Sequence, residues 1–345
     1  MDTSTPSAGP LRTLGLAGRS IAPLAVTFVI TLIAYTLLQR AHADYPSIVL
    51  TVAGINIIMA VSLNVVNGFT GQFSLGHAGF MAIGAYTAAK IMLGLHHSQI
   101  VGLSPFISDQ IFFFFALVCG MVTAAVAGLL VGMPSLRLRG DYLAIVTLGF
   151  NEIIRVIIEN TPFLGQATGL SGLPRITTLV WVYMGVVATV MAARRLAEST
   201  HGRALLAIRE DEVAAEAMGV DTTGYKVRAF VIASAFAGLA GGLLVHQIQL
   251  CTPRSFTFIR SIEVVAMVVL GGMGSVTGSI LAALILSVGV EILRSVQEFR
   301  MVVHSLLLIV LMLTRPAGIF GTRELWDLLP RPFGRRRASP AGGTP

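Results

Sequence analysis

Residues 64–80 read Asn64-Val-Val-Asn-Gly-Phe-Thr-Gly-Gln-Phe-Ser-Leu-Gly-His-Ala-Gly-Phe80, a polar, glycine-rich stretch between two apolar runs. Each flanking run is long enough to cross a bilayer, which takes about 20 mostly apolar residues. Hydrocarbon offers no partner to a free backbone group, so irregular backbone at membrane depth survives only against protein or a water-filled cavity. The stretch therefore predicts a break inside a membrane-spanning bundle, and such breaks are typical of a transport path.

The composition of the chain indicates a membrane protein. Of its 345 residues, 54% are hydrophobic and 12% are charged, whereas a soluble domain carries about 25% charged residues. The net charge of +7 comes from arginines that lie between apolar runs, which fits the positive-inside rule better than binding to nucleic acid. The chain has two lysines, Lys90 and Lys226, and neither lies in a P-loop, which excludes nucleotide hydrolysis by that route. No second ligand stands at helical spacing from His77, so we predict no metal site.

The apolar pattern predicts an all-α fold, a polytopic transmembrane helical bundle with about eight to ten spans and discontinuous glycine-rich helices. The candidate spans are 21–38, 47–66, 75–94, 111–132, 142–158, 177–193, 226–249, 261–277, 278–294 and 301–315. A second break is predicted around Gly271-Gly-Met-Gly274. Either break could be re-entrant.

Arginine placement predicts the orientation of the bundle. Both termini and the long loop 194–225 fall on the arginine-rich side, which is the cytoplasmic side by the positive-inside rule. We predict a cytoplasmic tail at 1–20, a transmembrane domain at 21–316 and a basic, largely disordered cytoplasmic tail at 317–345. The arginines of the last segment are expected to lie against anionic lipid heads.

Polar side chains cluster in the opening stretch. An unpaired amide in hydrocarbon costs on the order of several kcal/mol, so this cluster favours a pathway or gate over simple helix packing. Packing through small residues explains Gly128-xxx-Gly132, Gly238-xxx-Gly242 and Gly274-xxx-Gly278. For His77 alone, a hydrogen bond to a neighbouring carbonyl is the simpler interpretation. The residues that we predict to line a substrate path are Asn64, Asn67, Gln72, Ser74, His77 and Tyr86.

Several ionisable residues lie within or beside predicted spans, which makes them functional candidates. Glu152 and Arg155 are three residues apart and can pair on one helix face, and Arg155 can also reach Glu159. Glu263 lies in a later span. Ion pairing near the ends of spans is the alternative to a functional role for these charges.

The loop 194–225 contains Ala207-Ile-Arg-Glu-Asp-Glu-Val-Ala-Ala-Glu-Ala-Met-Gly219, which predicts one short, separate helix. Glu210, Asp211 and Glu212 suit the positive end of its dipole. Gly219 suits the position after the last turn, where a left-handed residue ends a helix. Such a helix either docks a cytosolic partner or connects two spans in solvent.

Three stretches of the chain resemble the branched-chain amino-acid ABC importer permeases, the LivM/LivH family. The opening stretch, continued from Asn67 to Tyr86, is similar to the family signature. Two further stretches resemble the LivM-type subunit in particular. They are Leu136-Arg-Leu-Arg-Gly-Asp-Tyr-Leu-Ala-Ile-Val-Thr-Leu-Gly-Phe-Asn-Glu-Ile-Ile-Arg155 and residues 202–220 with their continuation to 230. The matches occur in order along residues 64–230.

The resemblance implies a non-catalytic permease subunit of a bacterial inner-membrane importer for branched-chain or related small amino acids. It implies that the short helix is a cytoplasmic coupling helix that fits a groove of an ATPase, through Glu212, Ala214, Ala215, Glu216 and Gly219. The implied partners are a second homologous permease in a heterodimer, two ATP-binding subunits, an extracytoplasmic substrate-binding protein and membrane lipid, without nucleic acid. No cofactor is expected in this chain, because ATP and Mg²⁺ would be bound by the partner ATPases.

Three alternatives remain at this point. Import of urea or short amides fits the same architecture, and the run Gly165-Gln-Ala-Thr-Gly169-Leu170 departs from the family pattern. A self-sufficient secondary transporter would use Glu152 or Glu263 as a proton relay. An intramembrane enzyme could use Ser74 and His77, although no orienting carboxylate is near them in sequence.

Overall fold

The computed structural model describes residues 44–95, 104–136, 138, 141–292, 309, 318–319 and 321. Nearly all of this part of the chain that has regular structure is helical, as the sequence predicts. The helices are α1 (Asp44–Asn64), α2 (His77–Leu95), α3 (Pro105–Ser135), α4 (Asp141–Asn160), α5 (Leu179–Glu198), α6 (Thr200–Glu210), α7 (Glu212–Ala217), α8 (Thr222–Ile248), α9 (Phe258–Gly271) and α10 (Val276–Ile292). Two short strands, β1 (Leu170–Ser171) and β2 (Leu250–Cys251), pair antiparallel. The all-α prediction is confirmed.

Within the described residues, five helical segments are long and apolar enough to cross a membrane. They are Tyr45–Phe69, which is α1 with the turn that follows it, and the helices α2, α3, α5 and α8. The chain is therefore a multi-pass membrane protein. The predicted span 21–38, the tail 1–20, and nearly all of the span 301–315 and of the tail 317–345 lie outside the described residues.

The predicted span 261–277 extends beyond the helix that the structure shows there. Its helix, α9, has 14 residues and ends at Gly271, which is short of the ~20 residues that a full crossing takes. Gly272 and Gly274 have φ of +106° and +98°, in the left-handed region that stops a helix and that glycine enters at little cost. The predicted break at this point is confirmed.

The core is built on α1 and α8, the most buried of the candidate spans. Helix α8 packs against α2 and α3 along a line of glycines. A Cβ on Gly84 would overlap with the Cα of Gly238, and a Cβ on Gly120 would lie 2.9 Å from the carbonyl oxygen of Gly84. Three main chains are therefore in direct contact, the arrangement that small residues allow in membranes.

The glycine pairs predicted to pack helices behave in two ways. Gly128 faces Ser234, and Gly242 faces Leu117, so the pairs on α3 and α8 do pack helices. Gly274 instead lies in the turn before α10, where a Cβ would lie 2.7 Å from Arg209 Nη1. The packing interpretation is wrong for Gly274, because its φ of +98° is incompatible with a helix interior.

Gly84→Ala tests the contact of the three main chains. The added methyl has no free volume beside Gly238, so we expect a loss of ~1–3 kcal/mol in stability and a lower melting temperature in detergent. Gly149→Ala on α4 is the matched control, since nothing lies within 4 Å of a Cβ there. An equal effect of both substitutions would contradict the close packing of these helices.

Candidate functional site

The opening stretch forms an interruption between α1 and α2. Helix α1 widens into a π-helical turn at Val65–Phe69, and residues 70–76 have no regular structure before α2 begins at His77. We call residues 65–76 the first interruption. Residues 272–275, between α9 and α10, are the second interruption.

The side chain of Asn64 joins the two interruptions. Its Oδ1 accepts a hydrogen bond from the backbone N–H of Gly274 at 2.9 Å, and its Nδ2 donates to the carbonyl of Ser275 at 3.1 Å. Asn64 is fully buried, and Gly68 beside it has no room for a Cβ. The amide therefore satisfies the free N–H of Gly274 and adds a donor to the Ser275 carbonyl, which also accepts from Ser279 at the start of α10.

Side chains from other elements satisfy the backbone where α2 begins. The N–H of Ser74 donates to Asn67 Oδ1 at 3.2 Å, and the N–H of Leu75 donates to Thr147 Oγ1 on α4 at 3.0 Å. The N–H of Ala78 donates to Ser261 Oγ on α9 at 3.0 Å. The N–H of Ala78 is one of the donors that a helix start leaves without an intrahelical partner, whereas those of Ser74 and Leu75 belong to the irregular backbone before α2. The start of α2 is thus held between α4 and α9.

His77 is buried and pairs with Ser62 of α1, whose Oγ lies 2.8 Å from Nε2. Ser62 donates its own proton to the carbonyl of Met59 at 3.0 Å, so its oxygen accepts from the imidazole N–H. The partner of His77 is a hydroxyl and not the carbonyl that the sequence suggested. Because that hydroxyl is not Ser74, the geometry gives no support to a Ser74–His77 catalytic pair.

Tyr86 lies apart from the polar cluster. Its hydroxyl donates to the carbonyl of Cys251 in β2 at 3.2 Å, and its ring packs near Phe256. Nine residues of helix separate it from His77, which is about 13 Å along the axis. A Cβ on Gly169 would overlap with the same Cys251 carbonyl, so the 165–170 run is a tight turn against β2.

Asn151 is a polar residue of the site that the sequence prediction missed. It is 1% exposed, and its Oδ1 lies 3.1 Å from a Cβ built on Gly79 of α2. Among the described residues, neither of its amide atoms has a hydrogen-bond partner, and the same holds for Asn67 Nδ2 and Gln72 Oε1. Its spacing of four residues from Thr147 on an apolar helix was the available signal.

The predicted charged residues of α4 and α9 form ion pairs. Arg155 Nε lies 2.8 Å from Glu152, and Nη1 lies 2.6 Å from Glu159, so the predicted pairing is confirmed. Arg260 Nη1 pairs with Glu263 at 2.8 Å, and its Nη2 hydrogen-bonds Asn56 of α1. These charges connect neighbouring turns and helices.

The segment 207–219 forms parts of two helices, and the prediction of one helix is wrong. Residues up to Glu210 complete α6, and Asp211 separates it from α7 with extended backbone at φ −155°. Asp211 Oδ1 accepts from the N–H groups of Val213 and Ala214 at 2.9 and 3.0 Å. This cap makes Asp211 the start of α7, and Glu210 lies at the end of a helix, not at its start.

The other end of α7 is as predicted. Gly219 has φ +84°, its N–H donates to the carbonyl of Glu216, and the N–H of Val220 donates to that of Ala215. This pattern is the Schellman motif that ends helices at a left-handed residue. Helix α8 then begins after Asp221, whose Oδ1 accepts from the N–H of Gly224 at 3.0 Å.

Helix α7 is fastened to α8 by an ion pair. Glu212 Oε2 lies 2.6 Å from Lys226 Nζ, and the lysine side chain is 1% exposed. Ala215 is also buried, whereas Ala214, Glu216 and Gly219 are exposed. The exposed surface of this segment carries two apolar side chains, Val213 at 61% and Met218 at 85% exposed.

The chain is similar to known permeases. The family described as "Branched-chain amino acid transport system / permease component" matches residues 45–313. The high-affinity branched-chain amino acid transport system permease protein LivM of Salmonella typhimurium is 38% identical, over 78% of this chain and 68% of the relative. LivM of Escherichia coli has the same identity and coverage. LivH of Salmonella typhimurium is 26% identical, over 78% of this chain and 92% of the relative. The family match spans both interruptions and α7.

Asn64→Leu tests the link between the two interruptions. The substitution leaves the Gly274 N–H without its partner, and an unsatisfied buried group costs about 1–3 kcal/mol. The Ser275 carbonyl keeps the hydrogen bonds that it accepts from Ser279. We expect a clear fall in melting temperature in detergent.

Asn151→Leu is the matched control, since that amide makes no hydrogen bond within the described chain. Its melting temperature should change little or rise. A larger loss of stability in Asn151→Leu than in Asn64→Leu would overturn the assignment of Asn64 as the structural link.

Proposed function

This chain belongs to the family of branched-chain amino acid transport system permease components, and from that premise we propose that it forms half of the translocation path of an ABC importer for branched-chain amino acids. It catalyses no reaction of its own in this proposal. The interruptions next to Asn64 line the inner part of the path, and α7 receives the movement of separate ATPase subunits, which bind ATP and Mg²⁺.

The observation that carries the proposal is the construction of α7. This helix is separated from α6 by Asp211 and ended by Gly219. A connector in solvent has no need of a buried lysine to anchor it, whereas a helix that transmits force needs a rigid attachment. The Glu212–Lys226 pair supplies that attachment, and Val213 and Met218 present apolar surface outward. Exposed apolar groups of this kind mark interaction sites.

The proposed assembly contains a second, homologous permease of the LivH type, two ATP-binding subunits and an extracytoplasmic substrate-binding protein. The occurrence of both LivM and LivH among the relatives supports the permease pair. We place the assembly in a bacterial inner membrane, with α6, α7 and both termini on the cytoplasmic side. The arginines of the loop 194–225 support this orientation.

The rival functions have less support. The two LivM relatives, at 38% identity, are named for branched-chain amino acids, which favours these over urea or short amides. A proton relay would need a carboxyl that exchanges its proton during transport. Glu152 and Glu263 are each paired with an arginine three residues away, which favours a fixed charge at both positions.

Reconstitution tests the proposed function. Vesicles that contain this chain, the second permease, both ATPases and the binding protein should accumulate labelled leucine only when ATP is supplied. Vesicles with this chain alone should accumulate none under a proton gradient. Accumulation by the lone chain would instead establish a secondary transporter, and ATP-driven uptake of urea without leucine would correct the substrate class.

Met218→Asp tests the docking role of α7. An aspartate there places a charge in what we propose to be an apolar contact, so co-purification of the ATPase subunits should fall at least about tenfold, equivalent to roughly 1.4 kcal/mol. The melting temperature of the chain should not change, because Met218 is almost fully exposed. Met218→Leu keeps the apolar surface and should retain the ATPases. Undiminished co-purification of Met218→Asp would exclude this face as the docking site.

A further inference from the structure

Arg209, in the last turn of α6, contacts both interruptions. Its Nη1 donates to the carbonyl of Gly68 at 2.9 Å and lies 3.5 Å from the carbonyl of Met273. Gly68 belongs to the π turn after α1, and Met273 follows the end of α9. One guanidinium from the loop between α5 and α8 therefore reaches two separate breaks in the bundle.

The surroundings of Arg209 fit this side chain. A Cβ on Gly71 would lie 2.9 Å from Arg209 Cγ, and a Cβ on Gly274 would lie 2.7 Å from Nη1. Both glycines have positive φ, +70° and +98°. The two interruptions thus turn away from helical geometry at the two points where the arginine needs space.

The electrostatics favour a cation at this position. The last carbonyls of a helix have no intrahelical donor and carry the negative end of its dipole. Gly68 supplies such a carbonyl from the π turn after α1, and Met273 supplies a carbonyl of the irregular backbone just beyond α9. Arg209 Nη1 contacts both carbonyls. A guanidinium with several N–H donors and a permanent charge suits two acceptors better than an ammonium does.

Arg209 differs from Asn64, the other side chain that joins the two interruptions. Asn64 belongs to α1 itself and cannot leave the site without moving that helix. Arg209 lies two residues before Asp211, the residue that separates α6 from α7. A displacement of α7 therefore acts on Arg209 through a very short length of chain.

We propose that Arg209 is a latch, a positioning residue that holds the two interruptions together at the α6–α7 end of the bundle and releases them when α7 is displaced. This inference rests on the proposed function and adds to it the contact through which α7 acts on the path. When the latch is engaged, the buried backbone around Ser74 is closed to solvent from that side. When it is withdrawn, the two carbonyls lose their shared donor, and water enters between residues 65–76 and 272–275.

The test measures solvent access to the first interruption. In the full chain with Cys119 and Cys251 replaced by alanine, Ser74→Cys is labelled with a membrane-impermeant maleimide in inside-out vesicles. Ser74 is buried, so labelling should be slow. Adding Arg209→Gln should raise the rate at least tenfold without ATP, and Arg209→Lys should give an intermediate rate. Arg203→Gln, at an exposed position on the same helix, should leave the rate unchanged.

A second cysteine separates a latch from general loosening of the fold. Ser234 is buried between α3 and α8. A cysteine introduced by Ser234→Cys should therefore stay unreactive toward the maleimide when Arg209→Gln is also present. Faster labelling at both positions, or at neither, overturns the latch. In the complete importer, Arg209→Gln should also raise the ATP hydrolysed per leucine transported, and an unchanged ratio counts against the proposal. The labelling needs no ATPase, so it gives its answer even if uptake proves not to be driven by ATP.

Discussion

The described part of the bundle contains two interruptions between helices, and every interruption leaves backbone donors and acceptors that hydrocarbon does not solvate. The amide of Asn64, which lies next to the first break, meets this constraint for the second break, with its oxygen toward Gly274 and its nitrogen toward Ser275. The same constraint explains the acceptors Thr147 and Ser261 at the start of α2. The polar residues at the two interruptions are therefore first of all hydrogen-bond partners of irregular backbone.

The break after α1 could be predicted because amides and glycines stand out in apolar sequence. The partner of Asn64 could not be predicted, since Asn64 and Gly274 are 210 positions apart in the sequence and no local pattern encodes that contact. Tyr86 illustrates a different limit of local sequence patterns. It follows the polar stretch closely in sequence, but a helix carries it to β2, where it hydrogen-bonds Cys251.

The segment 207–219 shows which end of a helix can be predicted from the sequence alone. Gly219 could be assigned as the end of α7 because a glycine after an alanine-rich segment readily takes the left-handed conformation that stops a helix. The start was misjudged, since a run of three acidic residues suits a helix N-terminus at any of its positions. Asp211 is the residue that caps α7, because its short side chain reaches the N–H groups of Val213 and Ala214. No local pattern predicts the burial of Lys226, because that burial depends on the ion pair with Glu212 across the turn.

The glycine contact among α2, α3 and α8 sets limits on how this protein can change shape. Repacking between helices normally proceeds by exchange of side-chain rotamers, and at Gly84, Gly120 and Gly238 there are none to exchange. If one of these main chains slid past another, the contacts at the three glycines would be lost, and no side chain could replace them. We therefore expect the three helices to move as one unit, and we expect any change of shape to occur in backbone outside it, such as the positive-φ glycines Gly71, Gly272 and Gly274.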